Sequence, residues 1–459
     1  MDTPPNDATT KPDRPGRLRA LTRSPLTRML ALGLLVLLLQ IPVWLIKDAI
    51  SEREQTRQQA VAEVTGKWGE QQVFTGPVIT VPYIRRWVEA CTDGTSVTRE
   101  ELNFATFLPD RLAVQGQMDA EVRYRGIYEV PVFRMAVTVS GAFSQPSFDD
   151  WHIPDADILW DRAYLSLGVS DARAITNAAT LTWNSGHVPF RPSSGEAHAG
   201  VPGIHVPLKG QLHGGQHDFS TALKLNGSNG VYFAPMGRTT EVRLRSNWTD
   251  PSFQGQWLPV RREVSQRGFT ATWNIPALGR NYPQQWLSGG SWVPDNLKQL
   301  VSQTRFGVDL LSPVDHYRMA HRSLKYQLLF LSLTFIVLWL FEVRGGLRIH
   351  PIQYLLVGFG LCMFYLLELS LAEHIGFLPA YALATVSVVA MVAGYCGAIL
   401  RSLRRALTVG ASVTALYAAL YVLLMNQDYA LLMGSVGLFA VLAAIMFLTR
   451  RIDWSAPGS

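Results

Sequence analysis

The pattern of apolar and polar positions divides the chain into two kinds of segment. Met29 to Ile46 is an 18-residue apolar run broken only by Gln40 and Pro42, long enough at helical rise to cross most of a bilayer core. Five more runs follow late in the chain: 324–341, 352–371, 378–400, 406–424 and 430–448. The pattern therefore predicts six membrane spans. Between the first and second, the period changes to two. Phe133, Met135, Val137 and Val139 alternate with Arg134, Ala136, Thr138 and Ser140. Phe219, Thr221, Leu223 and Leu225 repeat the pattern, as do Phe269, Ala271, Trp273 and Ile275. Alternation of this kind is the mark of half-buried antiparallel strands. The Pro- and Gly-rich stretches between them, such as Pro192 to Gly215, favour a β-sandwich or a large curved sheet over an α/β fold.

The connections between spans set an orientation. Arg344 and Arg348 follow the second span, Glu373 and His374 the third, and Arg401, Arg404 and Arg405 the fourth. Asn426 to Asp428 follow the fifth, and Arg450 and Arg451 the sixth. Basic and non-basic loops alternate, so by the positive-inside rule both termini are expected in the cytoplasm and the large block on the other side. The first run is expected to be a retained signal anchor, because Lys47 and Asp48 stand where a small-residue cleavage site would be, and Ala60-Val61-Ala62 lies too far downstream. A basic leader and a signal anchor without an organelle-targeting signal fit a bacterial inner membrane, which makes the large block periplasmic.

The expected organisation is a basic tail (1–28), the signal anchor (29–46), a charged, Gln-rich helical stalk (47–67), a periplasmic β-rich domain (68–323), a five-helix bundle (324–448) and a short cytoplasmic tail (449–459). Pairs of glycines, Gly358 and Gly360, Gly394 and Gly397, Gly434 and Gly437, are placed to let the bundle helices approach closely. A stretch from Phe143 to Phe148 resembles Trp248 to Phe253 at an offset of 105 residues, so duplication of a β unit stays open.

Charge narrows the partners. Lys and Arg number 41 against 35 Asp and Glu, a net +6. The first 46 residues hold 6 basic and 3 acidic groups, residues 47–323 hold 27 of each, and residues 324–459 hold 8 and 5. The basic balance thus belongs to the flanks of the apolar runs, and a neutral central block argues against nucleic acid as a partner. Cys91 is the lone cysteine of the exported block, with Cys362 and Cys396 in predicted spans. No disulfide within that block is possible, and an unpaired buried thiol is the expected reading of Cys91.

Glu368 is the sharpest chemical feature, because an ionisable group in a membrane span is costly and usually faces a partner, cavity or pathway. Its place near the outer end of the third span, close to Glu373, lets its carboxylate reach the interface. An interfacial or structural role is expected, with an ion or proton relay as the rival. Glu342 beside Arg344 reads as an interfacial ion pair. His198, His205, His213 and His217 invite a metal-site reading, but Gly214 and Gly215 break any helix that would align the last two, so a solvated loop is expected and no cofactor. Ten of the 13 Trp residues lie in the exported block, including Trp87, Trp151, Trp257, Trp286 and Trp292. Core filling is expected of them, and a glycan-binding face would require an exposed coplanar group. The chain has no Gly-x-Ser-x-Gly, His-Glu-x-x-His, P-loop or Gly-x-Gly-x-x-Gly motif, and no enzyme is expected.

A longer series of residues resembles one family. Gly66-Lys67-Trp68-Gly69, Thr75-Gly76-Pro77-Val78 and Pro82-Tyr83 begin it. Arg125-Gly126-Ile127-Tyr128, Val130-Pro131-Val132 and Ser170-Asp171-Ala172-Arg173 continue it, followed by Phe233-Ala234-Pro235-Met236-Gly237, Pro251-Ser252-Phe253 with Gly255, and Gly268-Phe269-Thr270-Ala271. Leu311 to Asp315, Tyr317-Arg318, Ser323-Leu324-Lys325-Tyr326, Phe341-Glu342 and His350-Pro351-Ile352-Gln353-Tyr354 carry it into the apolar runs. This series resembles the CreD family of bacterial inner-membrane proteins, also called cell envelope integrity inner membrane proteins, from about residue 29 to 450. The resemblance implies a role in envelope integrity, usually under a two-component stress regulon, with influence on β-lactam and colicin responses. It implies no reaction and supplies no catalytic residues.

The expected function is therefore non-enzymatic support of the cell envelope, acting through the periplasmic β domain on periplasmic or inner-membrane protein partners, with the lipid bilayer as surroundings. Two alternatives stay open: a transporter or channel using the helix bundle, with polar residues of several spans converging on Glu368, and a peptidoglycan-binding module with aromatics in a groove.

Overall fold

The computed structural model describes residues 25–90, 96–198, 202–212, 214–288, 297–310, 316–345, 349–426 and 429–450. Cys91, His213, Trp292 and Arg348, singled out above, lie outside these residues. The chain forms two compact units, one of residues 1–56 with 314–459 and one of residues 57–313. The division falls within a single helix.

The helical unit begins with α1 (Pro25–Leu38) and α2 (Gln40–Trp68). They are separated by a turn at Leu39. Pro42 has no N–H to give the Leu38 carbonyl, which explains why the break falls there. Residues 47–67 are helical, since α2 runs on to Trp68 before the first strand starts.

The short helix α3 (Leu297–Gln303) belongs to the β unit. Then come α4 (His316–Lys325), α5 (Gln327–Gly345), α6 (Pro351–Ile375), α7 (Phe377–Leu400), α8 (Leu403–Met425) and α9 (Ala430–Thr449). Among the described residues, five helical stretches are long and apolar enough to cross a membrane: the one starting at Leu30, and α6, α7, α8 and α9. A sixth exists only if α4 and α5, bent by 47° against each other, form one broken span. The predicted second span, which begins at Leu324, straddles that bend. The reason is visible in residues 316–325: α4 has a polar and a buried face, with Tyr317, Ala320, Ser323 and Leu324 inward, whereas α5 is apolar nearly all round. A helix of the first kind suits an interface and one of the second a bilayer core.

The glycine expectation holds at one helix and fails at another. A Cβ on Gly358 would meet Leu39 Cδ1 at 2.2 Å and Phe335 Cζ at 3.1 Å, and one on Gly360 would meet Met391 Cε at 2.8 Å. In contrast, a Cβ on Gly394, Gly434 or Gly437 would meet nothing within 4 Å. The apolar stretch of α9 buries none of its residues, so α9 presents its glycines to the surroundings rather than to a neighbour.

The second unit is built from strands β1 (Gln72–Ala90), β2 (Ser96–Phe107), β3 (Arg111–Arg125), β4 (Tyr128–Phe143), β5 (Tyr164–Val169), β6 (Thr180–Trp183), β7 (Gly186–Pro189), β8 (Arg191–Pro192), β9 (Gly203–Pro207), β10 (His217–Ser228), β11 (Gly230–Phe233), β12 (Thr239–Ser246), β13 (Pro251–Gly255), β14 (Arg261–Ser265), β15 (Gly268–Pro276), β16 (Gln285–Leu287) and β17 (Phe306–Leu310). One sheet has the order β13-β17-β11-β1-β5-β9-β8, with β2 and β16 attached beyond β1. The other runs β14-β15-β12-β3-β4-β10-β6-β7. Most pairs are antiparallel; β1 with β11 and β3 with β12 are parallel.

The alternation read in the sequence is the inside-outside alternation of these strands. Phe133, Met135, Val137 and Val139 on β4, Phe219, Leu223 and Leu225 on β10, and Phe269, Ala271, Trp273 and Ile275 on β15 are all buried in one core cluster with residues of the other sheet. Trp273 meets Phe306 and Phe253 of the opposite sheet at 5.6 and 5.8 Å between ring centres. Two sheets sharing one interior make a sandwich. The outer halves of β1 and β2, from about Ile84 to Ala90 and from Ser96 to Leu102, leave this core as an exposed ribbon.

The two stretches that suggested duplication occupy unlike structures. Pro251 to Gly255 is strand β13, whereas Phe143 ends β4 and Phe148 caps a short turn whose Trp151 packs against Phe148 and Phe107.

Candidate functional site in the helical unit

The site assembles around α4, whose polar residues are tied to three other helices. Tyr317 donates to Glu373 Oε1 of α6 at 2.7 Å. Ser323 Oγ donates to Glu368 Oε2, also on α6, at 2.9 Å. His321 Nε2 lies 3.2 Å from Glu54 Oε2 of α2. Arg322 reaches the Leu423 carbonyl near the end of α8 at 3.2 Å, where helix carbonyls lack intrahelical partners and favour a cation.

Glu368 is the centre of this arrangement. It is 1% exposed, which corrects the expectation that its carboxylate reaches an interface: packing of α4 across α6 covers it. One oxygen takes the Ser323 bond; Oε1 has no hydrogen-bond partner among the described residues. Nor does Glu368 form an ion pair with any described cation. Tyr365 on α6, Tyr381 on α7 and Tyr417 on α8 belong to the same helical unit. Their rings form one aromatic cluster with Phe364, which lies 4.2 Å from Tyr417 and 5.3 Å from Tyr381 between centres. Tyr381 donates its hydroxyl proton to the Tyr417 carbonyl at 2.7 Å.

Tyr365 and Tyr417 also line a small cavity together with Gln327, Thr334, Cys362 and Val413, with room for roughly one water. Gln327, itself buried, donates to Gln40 Oε1 at 2.7 Å. Residues of α2, α4, α5, α6, α7 and α8 thus place polar groups around one interior. Such an arrangement can hold and release a proton, or exchange one hydrogen-bond partner for another, because a buried carboxylate with an open oxygen is sensitive to any donor that reaches it.

Sequence reasoning selected Glu368 but missed Ser323, Gln327 and the three tyrosines. Only the amphipathic period of residues 316–325 signalled that a polar helix packs here. Glu342, expected in an ion pair, is buried and accepts from the Tyr354 hydroxyl at 3.0 Å; the side chain of Arg344 lies outside the described residues.

Comparison with known proteins now decides the family. A family profile described as Inner membrane protein CreD matches residues 24–455. The protein of that name from Escherichia coli (strain K12) is 33% identical over 438 residues, which is 95% of this chain and 95% of that protein. The chain belongs to the CreD family.

The residues that carry the resemblance to the CreD family turn out to be joints of the fold. His350 caps α6 by accepting from the Ile352 N–H, Gln353 accepts from the His350 N–H at 2.9 Å, and Pro351 occupies the first turn, where its missing N–H costs nothing. The His350-to-Tyr354 motif therefore starts a helix and delivers Tyr354 to Glu342. In Ser170-Asp171-Ala172-Arg173, Ser170 Oγ accepts from the Val73 N–H at 2.9 Å and donates to the Gln71 carbonyl at 2.7 Å. Asp171 accepts from the Glu70 N–H and from Arg173. That loop fastens the chain where α2 gives way to β1. Burial pushes the Asp171 carboxyl up, but the Arg173 and Glu70 bonds outweigh it and hold it below its ordinary value.

Pro235-Met236-Gly237 presents three carbonyls to the buried Arg280, which donates to them at 3.3, 2.7 and 3.2 Å. Burial keeps the Arg280 guanidinium below its ordinary value. Gly268 follows the two-residue turn of the β14–β15 hairpin at φ +117°, and a Cβ there would strike the Ser246 carbonyl at 2.0 Å. Leu311 to Asp315 lies outside the described residues.

The other sequence candidates are dispersed. His205 Nδ1 bonds with the Ser193 carbonyl at 2.8 Å, while His217 is buried, stacked on Trp183 and bonded to Asn184. The side chain of His198 lies outside the described residues. Among the described residues no three His, Cys, Asp or Glu are grouped to hold a metal. Trp286 is buried, and Trp151 and Trp257 pack on the core. Trp87, 39% exposed on the outer ribbon, has no coplanar partner among the other described tryptophans singled out for a sugar face.

Proposed function

We propose that this CreD-family membrane protein supports the integrity of the bacterial cell envelope without catalysing a reaction, its β-sandwich standing in the periplasm and both termini in the cytoplasm. The observation that carries this reading is the size and closure of the sandwich: two sheets of nine and eight strands around one apolar core, inserted between the first apolar helix and the rest. So large a folded unit, neutral in charge and with most of its aromatics turned inward, suits contact with protein partners more than the grip of a sugar or nucleic acid. The basic residues Arg401, Arg404 and Arg405, against Glu373 and His374 at the other end of α7, support the orientation.

A second reading, transport of a proton or small cation through the helical unit, is favoured by the burial of Glu368 on the Ser323 hydroxyl in the same unit as the aromatic cluster of Tyr365, Tyr381 and Tyr417. One experiment separates the two. Envelope permeability is measured in a deletion strain complemented with the native chain or with Glu368→Gln, at equal membrane levels. Full rescue supports the scaffold role. Loss of rescue despite normal insertion makes the helical unit the active part and overturns it. Accessibility of single cysteines placed at Asn426 and Arg401 to an impermeant thiol reagent tests the orientation, with labelling expected at 426 alone in intact cells stripped of the outer membrane.

A further inference from the structure

The eight-stranded sheet ends at β14, and all five of its residues are exposed. Its inner edge pairs with β15, from Arg261 opposite Thr272 to Ser265 opposite Gly268. The Val260 N–H extends that pairing by donating to the Thr272 carbonyl at 2.8 Å. No described strand pairs with its outer edge.

An unpaired edge invites a further strand, and proteins commonly blunt it with proline. The other three strands that end the two sheet orders carry one, Pro189 in β7, Pro192 in β8 and Pro251 in β13, while β16, the edge beyond β2, has no proline but is three residues long. The stretch from Val260 to Ser265 has neither proline nor glycine, and its two valines are strongly exposed, Val260 at 71% and Val264 at 52%.

We propose that β14 is the contact surface for a second copy of this chain, the two strands pairing antiparallel about a two-fold axis at Arg262. The argument is self-complementarity. About such an axis the central residue faces its own copy, and residues equidistant from it face each other. With Arg262 central, Arg261 faces Glu263 of the second copy, and Val260 faces Val264 of the second copy, each twice. Side chains alternate between faces along a strand. One face of the joint sheet therefore carries two opposite-charge pairs and the other carries two valine pairs, both of which stabilise neighbouring strands. The central Arg262 side chains are long enough to turn apart into solvent. Moving the axis by one residue destroys the match, because Glu263 then faces Glu263 and Arg262 faces Val264. The occupant is thus chosen by charge: the edge is complementary to itself in one register.

The test uses the full chain in membranes, with Cys91, Cys362 and Cys396 replaced by serine. Arg262→Cys brings two cysteines face to face, at about 4.5–5.5 Å between Cα atoms in an antiparallel pair, within disulfide reach. Mild oxidation is expected to give a covalent dimer, and His187→Cys on the opposite edge of the sheet is expected to give none. Adding Arg261→Glu to Arg262→Cys puts like charges opposite each other twice and is expected to weaken association about two- to thirtyfold, from two pairs at the usual cross-strand strength. Further addition of Glu263→Arg rebuilds both pairs with reversed sign and is expected to restore the dimer, which also shows that the single reversal leaves the sheet folded. Absence of a dimer from Arg262→Cys overturns the proposal. So does a dimer whose yield ignores Arg261→Glu, or one that Glu263→Arg fails to restore.

Discussion

Ser323→Ala isolates the energetics of the buried carboxylate. Among the described residues Ser323 supplies the one hydrogen bond that Glu368 receives, and both residues are inaccessible, at 0% and 1% exposure. Removing the hydroxyl leaves both carboxylate oxygens without a donor, at a cost of about 1–3 kcal/mol for an unsatisfied buried acceptor. That is about a five- to 150-fold shift in the unfolding equilibrium. The reciprocal change, Glu368→Leu, removes the group that needs the donor. Serine then loses its acceptor, but a hydroxyl can turn to a carbonyl of its own helix, so the cost is expected to be small or negative, as when buried polar groups give way to apolar ones of similar volume.

The double variant Ser323→Ala/Glu368→Leu is therefore expected to be more stable than Ser323→Ala alone, a coupling of opposite sign to that of two independent losses. Thermal inactivation of the full chain in detergent, followed by loss of the monodisperse peak in size-exclusion chromatography, gives the order of the four proteins. If Ser323→Ala matches the native chain while Glu368→Leu falls well below it, the carboxylate is held by something other than Ser323 and the reasoning fails. The result also bears on mechanism: a carboxylate that lowers stability counts toward the transport reading, and one that raises it counts toward the scaffold.

Two further outcomes follow from single contacts. Asp171 has its carboxyl held below the ordinary value by Arg173 and the Glu70 N–H, so its ionised form stabilises the fold above the usual carboxylate range, and that contribution is lost as pH falls through the depressed value. Asp171→Asn is thus expected to lower the urea midpoint of the β unit at neutral pH, by a margin that shrinks on acidification; a margin that stays constant or grows as pH falls contradicts the assignment. In the helical unit Gly358→Val sets a side chain against Leu39 and Phe335 and is expected to cost about 1–3 kcal/mol by overpacking, whereas Gly394→Val has open space and is expected to leave thermal stability unchanged; equal effects of the two would refute the packing described for α6.

Local periodicity by itself determined the elements of this protein. An apolar run of 18 or more residues can satisfy its backbone in lipid only as a helix, and alternation over Phe133 to Val139 or Phe269 to Ile275 can bury one face only as a strand. Both facts are properties of neighbouring residues, so both were legible, as were the helicity of residues 47–67 and the family resemblance. The sheet order, the sharing of one core by Trp273, Phe306 and Phe253, and the use of Arg280 to gather three carbonyls of a distant loop depend on pairings across long sequence separations, which no local period encodes. The same holds for the candidate site. Glu368 stood out because its residue type is rare in such surroundings, yet its burial was misjudged, because what covers it is α4, 45 residues earlier in the chain. Sequence placed the carboxylate near the end of a span; only tertiary packing put Ser323 against one oxygen and left the other open.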